Sequence, residues 1–237
     1  AAASLEQTFD DPTVTGTDLF GAAVALGGNS VLIGSPLDST QGLAVGQAHL
    51  FEATTGNLLQ TFDNPSVTGN DRFGTSVALD GSSILIGANR NSSQGNEVGQ
   101  AHLFGAPFHD DRNGQAHLFD GTTGNLLQTF DNPSMDGADE FGSSVALDGN
   151  NVLIGAPIDS TQSATVGQAH LFDGTTGNLL RTFDDPTPTF IGGSIGGGDQ
   201  FGSSVALDGN NVLIGAPLDS TQGDGVGQAL LFDATTG

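Results

Sequence analysis

A chain of 237 residues with 27 acidic side chains against 4 Arg and no Lys carries a net charge of −23. That charge repels a polyphosphate backbone and an anionic bilayer alike, so nucleic acid and membrane surfaces are excluded as partners. Cys is absent, which removes disulfides and thiolate sites, and no stretch approaches the roughly 18 apolar residues of a membrane-spanning helix.

Ala1-Ala2-Ala3-Ser4 reads equally as the residue of a signal-peptidase cut and as an expression scar. The first structured segment is Leu5-Glu6-Gln7-Thr8-Phe9-Asp10-Asp11-Pro12, a short strand ahead of a proline turn. Its copies start at Leu59, Leu127 and Leu180. A polar loop follows each copy and ends in Asp-x-Phe-Gly at Asp18, Asp71, Asp139 and Asp199. Then comes Phe-Gly-x-x-Val-Ala-Leu, a Gly-Gly or Asp-Gly turn with a polar residue after it, and Val-Leu-Ile-Gly-Ala-Pro. Two apolar runs around such a turn predict a tight β-hairpin. After a second polar loop stands Gly-Gln-Ala-His-Leu-Phe, starting at Gly46, Gly99, Gly114 and Gly167, with Gly-Gln-Ala-Leu-Leu-Phe at Gly227. Gly at 37 positions, short runs of Val, Leu, Ile and Phe, and no helical stripe make the chain all-β.

One unit therefore holds four short antiparallel strands. Literal repetition of such a unit is the pattern of propeller blades, not of a sandwich. The units run over about 18–65, 71–133 with an insertion at 100–114, 139–186, and 199–237 joined to 4–12. The expectation is a single β-propeller domain of about four four-stranded blades. The N-terminal strand would complete the last blade and remove both sheet edges. Because the insertion repeats the Ala-His-Leu-Phe strand, five blades with one partial is the alternative.

The units resemble FG-GAP repeats, the blades of the propeller in integrin α subunits and in many bacterial surface proteins. The resemblance is carried by Phe20-Gly21, Phe73-Gly74, Phe141-Gly142 and Phe201-Gly202, together with Gly34-Ser35-Pro36, Gly87-Ala88-Asn89, Gly155-Ala156-Pro157 and Gly215-Ala216-Pro217. These are structural positions: Phe packs between sheets, Gly lets backbones approach, and Pro ends a strand where its missing N–H is harmless. The resemblance implies a secreted or surface location. It also implies Ca²⁺ in loops with closely spaced Asp-x-Asp-x-Asp-Gly carboxylates, a pattern this sequence lacks. The loops after Gly-Ala-Pro supply one carboxylate, none, or two, and Asp219 with Asp224 is the best remaining Ca²⁺ pair.

His49, His102, His117 and His170 share one strand position, which reads as core packing because Leu230 replaces His in the last unit. Asp18, Asp71, Asp139 and Asp199 are expected to accept backbone N–H bonds in the turn into the hairpin. Asp10-Asp11 and Asp184-Asp185 precede prolines and read as turn residues, since near-identical units do not supply the asymmetric acid and base of a catalytic site. No phosphate loop, nucleophile elbow or zinc helix is present. The sequence therefore predicts a non-enzymatic extracellular or surface module without a cofactor, whose partner is a protein or another copy of itself. The alternatives are a fibre or array subunit built by donation of the N-terminal strand, and a Ca²⁺-dependent or glycan-binding adhesin.

Overall fold

A computed structural model of the chain describes residues 5–91, 114–134, 139–161, 166–188, 198–222 and 225–235. The described residues are all-β and form four antiparallel sheets. The first contains β1 (Ala23–Gly27), β2 (Ser30–Ser35), β3 (Gln47–Glu52) and β4 (Leu58–Asp63). The second contains β5 (Phe73–Asp80), β6 (Ser83–Ala88), β7 (Gln115–Asp120) and β8 (Leu126–Asp131), and the third β9 (Ser144–Asp148), β10 (Asn151–Ala156), β11 (Gln168–Asp173) and β12 (Leu179–Asp184). The fourth has three strands, β13 (Ser204–Asp208), β14 (Asn211–Ala216) and β15 (Gln228–Asp233).

Within each sheet the strands run in chain order, as a meander requires. The first hairpin of every sheet closes over two residues: Asp148 pairs with Asn151 around Gly149-Asn150, and Asp208 with Asn211 around Gly209-Asn210. Gly149 and Gly209 both have φ of 56°, while the Asn after each has negative φ, the II′ geometry that suits the right-handed twist of the flanking strands.

Alternation along the strands decides which face meets which neighbour. In β5, Val77 and Leu79 point back to the first sheet, and in β6 and β7, Leu85 and Leu118 point forward to the third. Three inter-sheet cores of nearly the same composition result. The second holds Leu85, Ala116, Leu118 and Phe130 from one sheet against Phe141, Val152, Ile154, Ala156 and Phe172 from the next. Each motif Phe lies edge-on to a neighbouring ring, as Phe141 does to Phe172 at 6.0 Å and 86°, a favoured aromatic geometry.

Sheet faces come close because the motif glycines have no side chains. A methyl group on Gly34, Gly87 or Gly155 would overlap the carbonyl oxygen of Gly74, Gly142 or Gly202 in the following sheet. That same oxygen accepts a hydroxyl bond from Ser76 or Ser144 at 2.7 Å in the latter two pairs.

One sequence expectation is not seen. Among the described residues, Leu5 to Asp10 has no ladder partner and β15 pairs with β14 alone. The segment instead lies on the first sheet, where Phe9 packs on Phe51 at 5.3 Å and 57°. Phe62 on Phe119, Phe130 on Phe172 and Phe183 on Phe232 repeat that geometry at 5.1, 5.2 and 5.3 Å. Gln7 reaches Gly56 as Gln60 reaches Gly124 and Gln128 reaches Gly177. The segment thus takes the place that the last strand of a preceding sheet would take, without that sheet beside it. The insertion at 100–114 lies outside the described residues up to Gly114.

Candidate functional site

Two features of the molecule bear on function: a pair of unpartnered sheet faces and a row of acidic junctions between sheets. The faces follow from the repeat. Leu32, Leu85 and Leu153 are sealed under the next sheet, but their counterpart Leu213 is 42% exposed, and Leu231, counterpart of the buried Leu50, Leu118 and Leu171, is 68% exposed. At the other end Val24 and Leu26 are 67% and 73% exposed, while Val145 and Leu147 pack into a core.

Polar groups on these faces tell the same story. Asp80 and Asp148 accept the N–H of Gly149 and Gly209 in the next sheet, at 2.8 and 2.5 Å. Asp208, their counterpart on the last sheet, is exposed, as is Gly28, counterpart of the two glycines on the first. A methyl on Gly215 would meet only Ser204 of its own sheet, and one on Gly21 would meet nothing. The last sheet ends in the socket, and the first begins with the plug, of the contact made three times inside the chain.

The junctions lie where one sheet's final strand hands over to the next sheet. Each collects three side chains distant in sequence: 64, 71 and 91; 132, 139 and 159; 185, 199 and 219. At the first of these Asn64 Nδ2 donates to Asp71 at 3.0 Å, and at the second Asn132 Nδ2 donates to Asp139 at 2.6 Å. The Ser134 hydroxyl also bridges Asp139, at 3.1 Å, and Asp159. Amide and hydroxyl donors therefore stabilise the carboxylates buried at these two junctions.

The third junction has Asp185 where the first two have Asn64 and Asn132. Asp185, Asp199 and Asp219 are all buried, and one carboxylate oxygen of each lies within 4.8 Å of those of the other two. Asp185 Oδ1 accepts the Thr187 N–H at 2.8 Å and its hydroxyl at 3.4 Å, while Oδ2 has no partner. Asp219 accepts the Thr221 N–H at 2.9 Å and its hydroxyl at 3.3 Å. Burial first, then the adjacent Asp199 and Asp219 charges, push the Asp185 carboxyl above the usual range. A related triplet, Asp11, Asp18 and Asp38, lies at the first sheet, the first two before β1 and the third after β2. There Thr15 satisfies Asp18 through its N–H at 2.8 Å and hydroxyl at 2.6 Å, and the Thr13 hydroxyl lies 3.0 Å from Asp38.

The histidines are core residues. His49, His117 and His170 are buried, each with Nδ1 3.1–3.2 Å from a threonine hydroxyl on the neighbouring strand and its ring beside a motif Phe. Burial pushes His117 and His170 down to about 4, and lowers His49 in the same direction. They are neutral at physiological pH and too deep in separate sheets to share a ligand.

Among the residues singled out from sequence, Phe73, Phe141 and Phe201 are fully buried between sheets. Asp71 accepts the N–H groups of Thr68 at 2.8 Å and Gly69 at 3.2 Å. Asp219 is brought to Asp185 and Asp199; Asp224, its partner in the sequence reading, and His102 lie outside the described residues. Asp185, read as a turn residue, does accept the Thr187 N–H, but its carboxylate also lies within 4.8 Å of those of Asp199 and Asp219. The signal that could have found it is the Asp that stands in this unit where the two preceding units have Asn64 and Asn132.

Comparison with known proteins agrees with this architecture. The FG-GAP repeat profile matches residues 11–51, 66–104, 135–172 and 195–232. The chain belongs to the FG-GAP repeat family. No curated protein matches it significantly. Among solved structures, the computationally designed Ika4 protein superposes with a TM-score of 0.55 at 15% identity, over 98% of this chain and 99% of that one. The computationally designed Ika8 protein gives a TM-score of 0.51 at 16% identity over 90% of this chain, which spans 45% of that protein's length. At such identities the likeness is one of fold. No helix among the described residues is long and apolar enough to cross a membrane.

Proposed function

We propose that this chain is a non-enzymatic structural and interaction module, placed outside the cell or on its surface, whose first partner is another copy of itself joined head to tail. The observation that carries the reading is the match between the unpartnered faces. Leu213, Ala229 and Leu231 of one copy, with Val24, Leu26 and Phe51 of the next, supply most of the residue set of each internal core. Phe9 is the missing aromatic of that set and already sits on Phe51. In the assembly the Leu5–Asp10 segment adds as a fourth strand to β15 of the other copy, main chain to main chain.

Magnitudes explain why both elements are needed. Covering Val24, Leu26, Leu213 and Leu231 contributes about 1–2 kcal/mol each, given that a fully buried Val or Leu is worth about 1.5–3. That sum does not clearly exceed an association cost of about 4–15 kcal/mol. The added ladder contributes about 0.5–1.5 kcal/mol per hydrogen bond and tips the balance. Such a contact is heterologous, so two copies close on each other or many extend as a filament. The surface location rests on the company the family keeps, integrin α subunits and bacterial surface proteins.

Light scattering on residues 1–237 and on a variant lacking residues 1–10 tests the proposal. The intact chain is expected as a dimer or filament, and the truncated one as a folded monomer of unchanged β content. An intact chain that stays monomeric at micromolar concentration overturns it.

A further inference from the structure

Three carboxylates meet in the buried junction between the third and fourth sheets, and one oxygen of Asp185 accepts no hydrogen bond there. We infer that Asp185, Asp199 and Asp219 form a binding site for a hard divalent cation of the calcium class, which clamps the end of β12 to the loops flanking β13 and β14.

Charge is the first argument. Three carboxylates within 4.8 Å, with threonine N–H and hydroxyl groups as the donors to Asp185 and Asp219, leave negative charge that burial makes costly. The second is the contrast along the chain. The two preceding junctions place Asn64 and Asn132 at the position of Asp185, and their amides donate to the neighbouring Asp. This chain therefore has a cation-free solution to the same junction and does not use it here. The third is the orphan oxygen: Asp185 is 3% exposed, and its Oδ2 belongs to a carboxylate already held in place through Oδ1 by Thr187.

The donor set chooses the cation. All three ligands are oxygens, with no Cys or His beside them, which selects calcium, magnesium or manganese over zinc or copper. Calcium takes six to eight oxygens in flexible geometry, whereas magnesium demands a near-ideal octahedron and dehydrates reluctantly, so carboxylates fixed on three separate segments suit calcium better. The site is distinct from the Asp-x-Asp-x-Asp-Gly loops that the family resemblance implies, because its ligands come from three separate segments of two sheets.

The test is thermal unfolding and calorimetric titration of the EDTA-treated full chain with calcium and, separately, magnesium. Calcium is expected to raise the melting temperature of the wild type and to titrate a site that magnesium fills more weakly. Asp185→Asn, which copies the residue at positions 64 and 132, is expected to fold, to melt higher than the cation-free wild type, and to lose at least tenfold in calcium affinity. Asp11→Asn, at the related triplet of the first sheet, removes the same single charge and keeps the response. If the wild type shows no calcium response, or Asp185→Asn responds as strongly as the wild type, the site does not exist.

Discussion

Two substitutions of one kind, Gly155→Ala and Gly215→Ala, separate the contacts that hold the chain together from those proposed to join two chains. Both glycines stand at the same position of the second strand of their sheets. A methyl group on Gly155 overlaps the Gly202 carbonyl oxygen, which is backbone and cannot rotate away. The third and fourth sheets must separate locally. Overpacking of that kind costs about 1–3 kcal/mol, and the Ser144 hydroxyl bond to Gly202, 2.7 Å long, is lost for about 1 more. At roughly 2–4 °C per kcal/mol for a chain of this size, the melting temperature falls by about 10 °C.

Gly215→Ala has no neighbouring sheet to collide with inside one chain. Its methyl meets only the Ser204 hydroxyl, which can turn, and the first sheet already carries Ala23 at the serine's position. In a head-to-tail contact, however, that methyl takes the clash with Gly21 of the next copy. Circular dichroism and light scattering together read the difference. Gly155→Ala should lose thermal stability, and Gly215→Ala should keep its β signal while its mass falls to 23.8 kDa. A Gly215→Ala protein that retains the wild-type mass refutes the reasoning.

Other consequences follow from the same geometry. Phe130→Ala empties the centre of the second core and is expected to cost about 3–5 kcal/mol in urea unfolding, since Phe130 is 1% exposed. His117 and His170 have folded-state values near 4 against an ordinary 6.5, so below pH 6.5 the unfolded chain binds protons that the folded chain refuses. Stability present above that pH is lost between about 6.5 and 4, by about 3 kcal/mol for each histidine, and His170→Leu, which copies Leu230, should flatten the pH slope. Removing the Asp148 carboxylate by D148A breaks its bond to the Gly209 N–H; with both groups near solvent, chemical denaturation should report a loss of about 1 kcal/mol or less.

Much of the architecture was legible because local chemistry repeats. The Asp-Gly and Gly-Gly turns require φ > 0 whatever surrounds them, and they gave hairpins at the positions read from sequence. The motif Phe and Gly residues could be assigned to inter-sheet packing for the same reason. The junction of Asp185, Asp199 and Asp219 was not legible, because its members lie on three segments and meet only when two sheets stack. Sequence spacing directed attention to Asp224, a near neighbour of Asp219, and away from Asp185. Nor could the sequence say where Leu5 to Asp10 would lie. Its pattern matches Leu58 to Asp63, but a strand pattern specifies a face and leaves the partner edge open.

The central claim is that the two open faces meet between molecules. Cysteine is absent from the chain, so Leu26→Cys and Leu231→Cys introduced together give the only thiols, one on each face. A short bis-maleimide added to this variant, followed by denaturing electrophoresis, reports which thiols were neighbours. Bands at multiples of 23.8 kDa are predicted, and a band at twice that mass when the two single-cysteine variants, each with one thiol to link, are mixed. A single band at monomer mass, linked internally, would contradict the account.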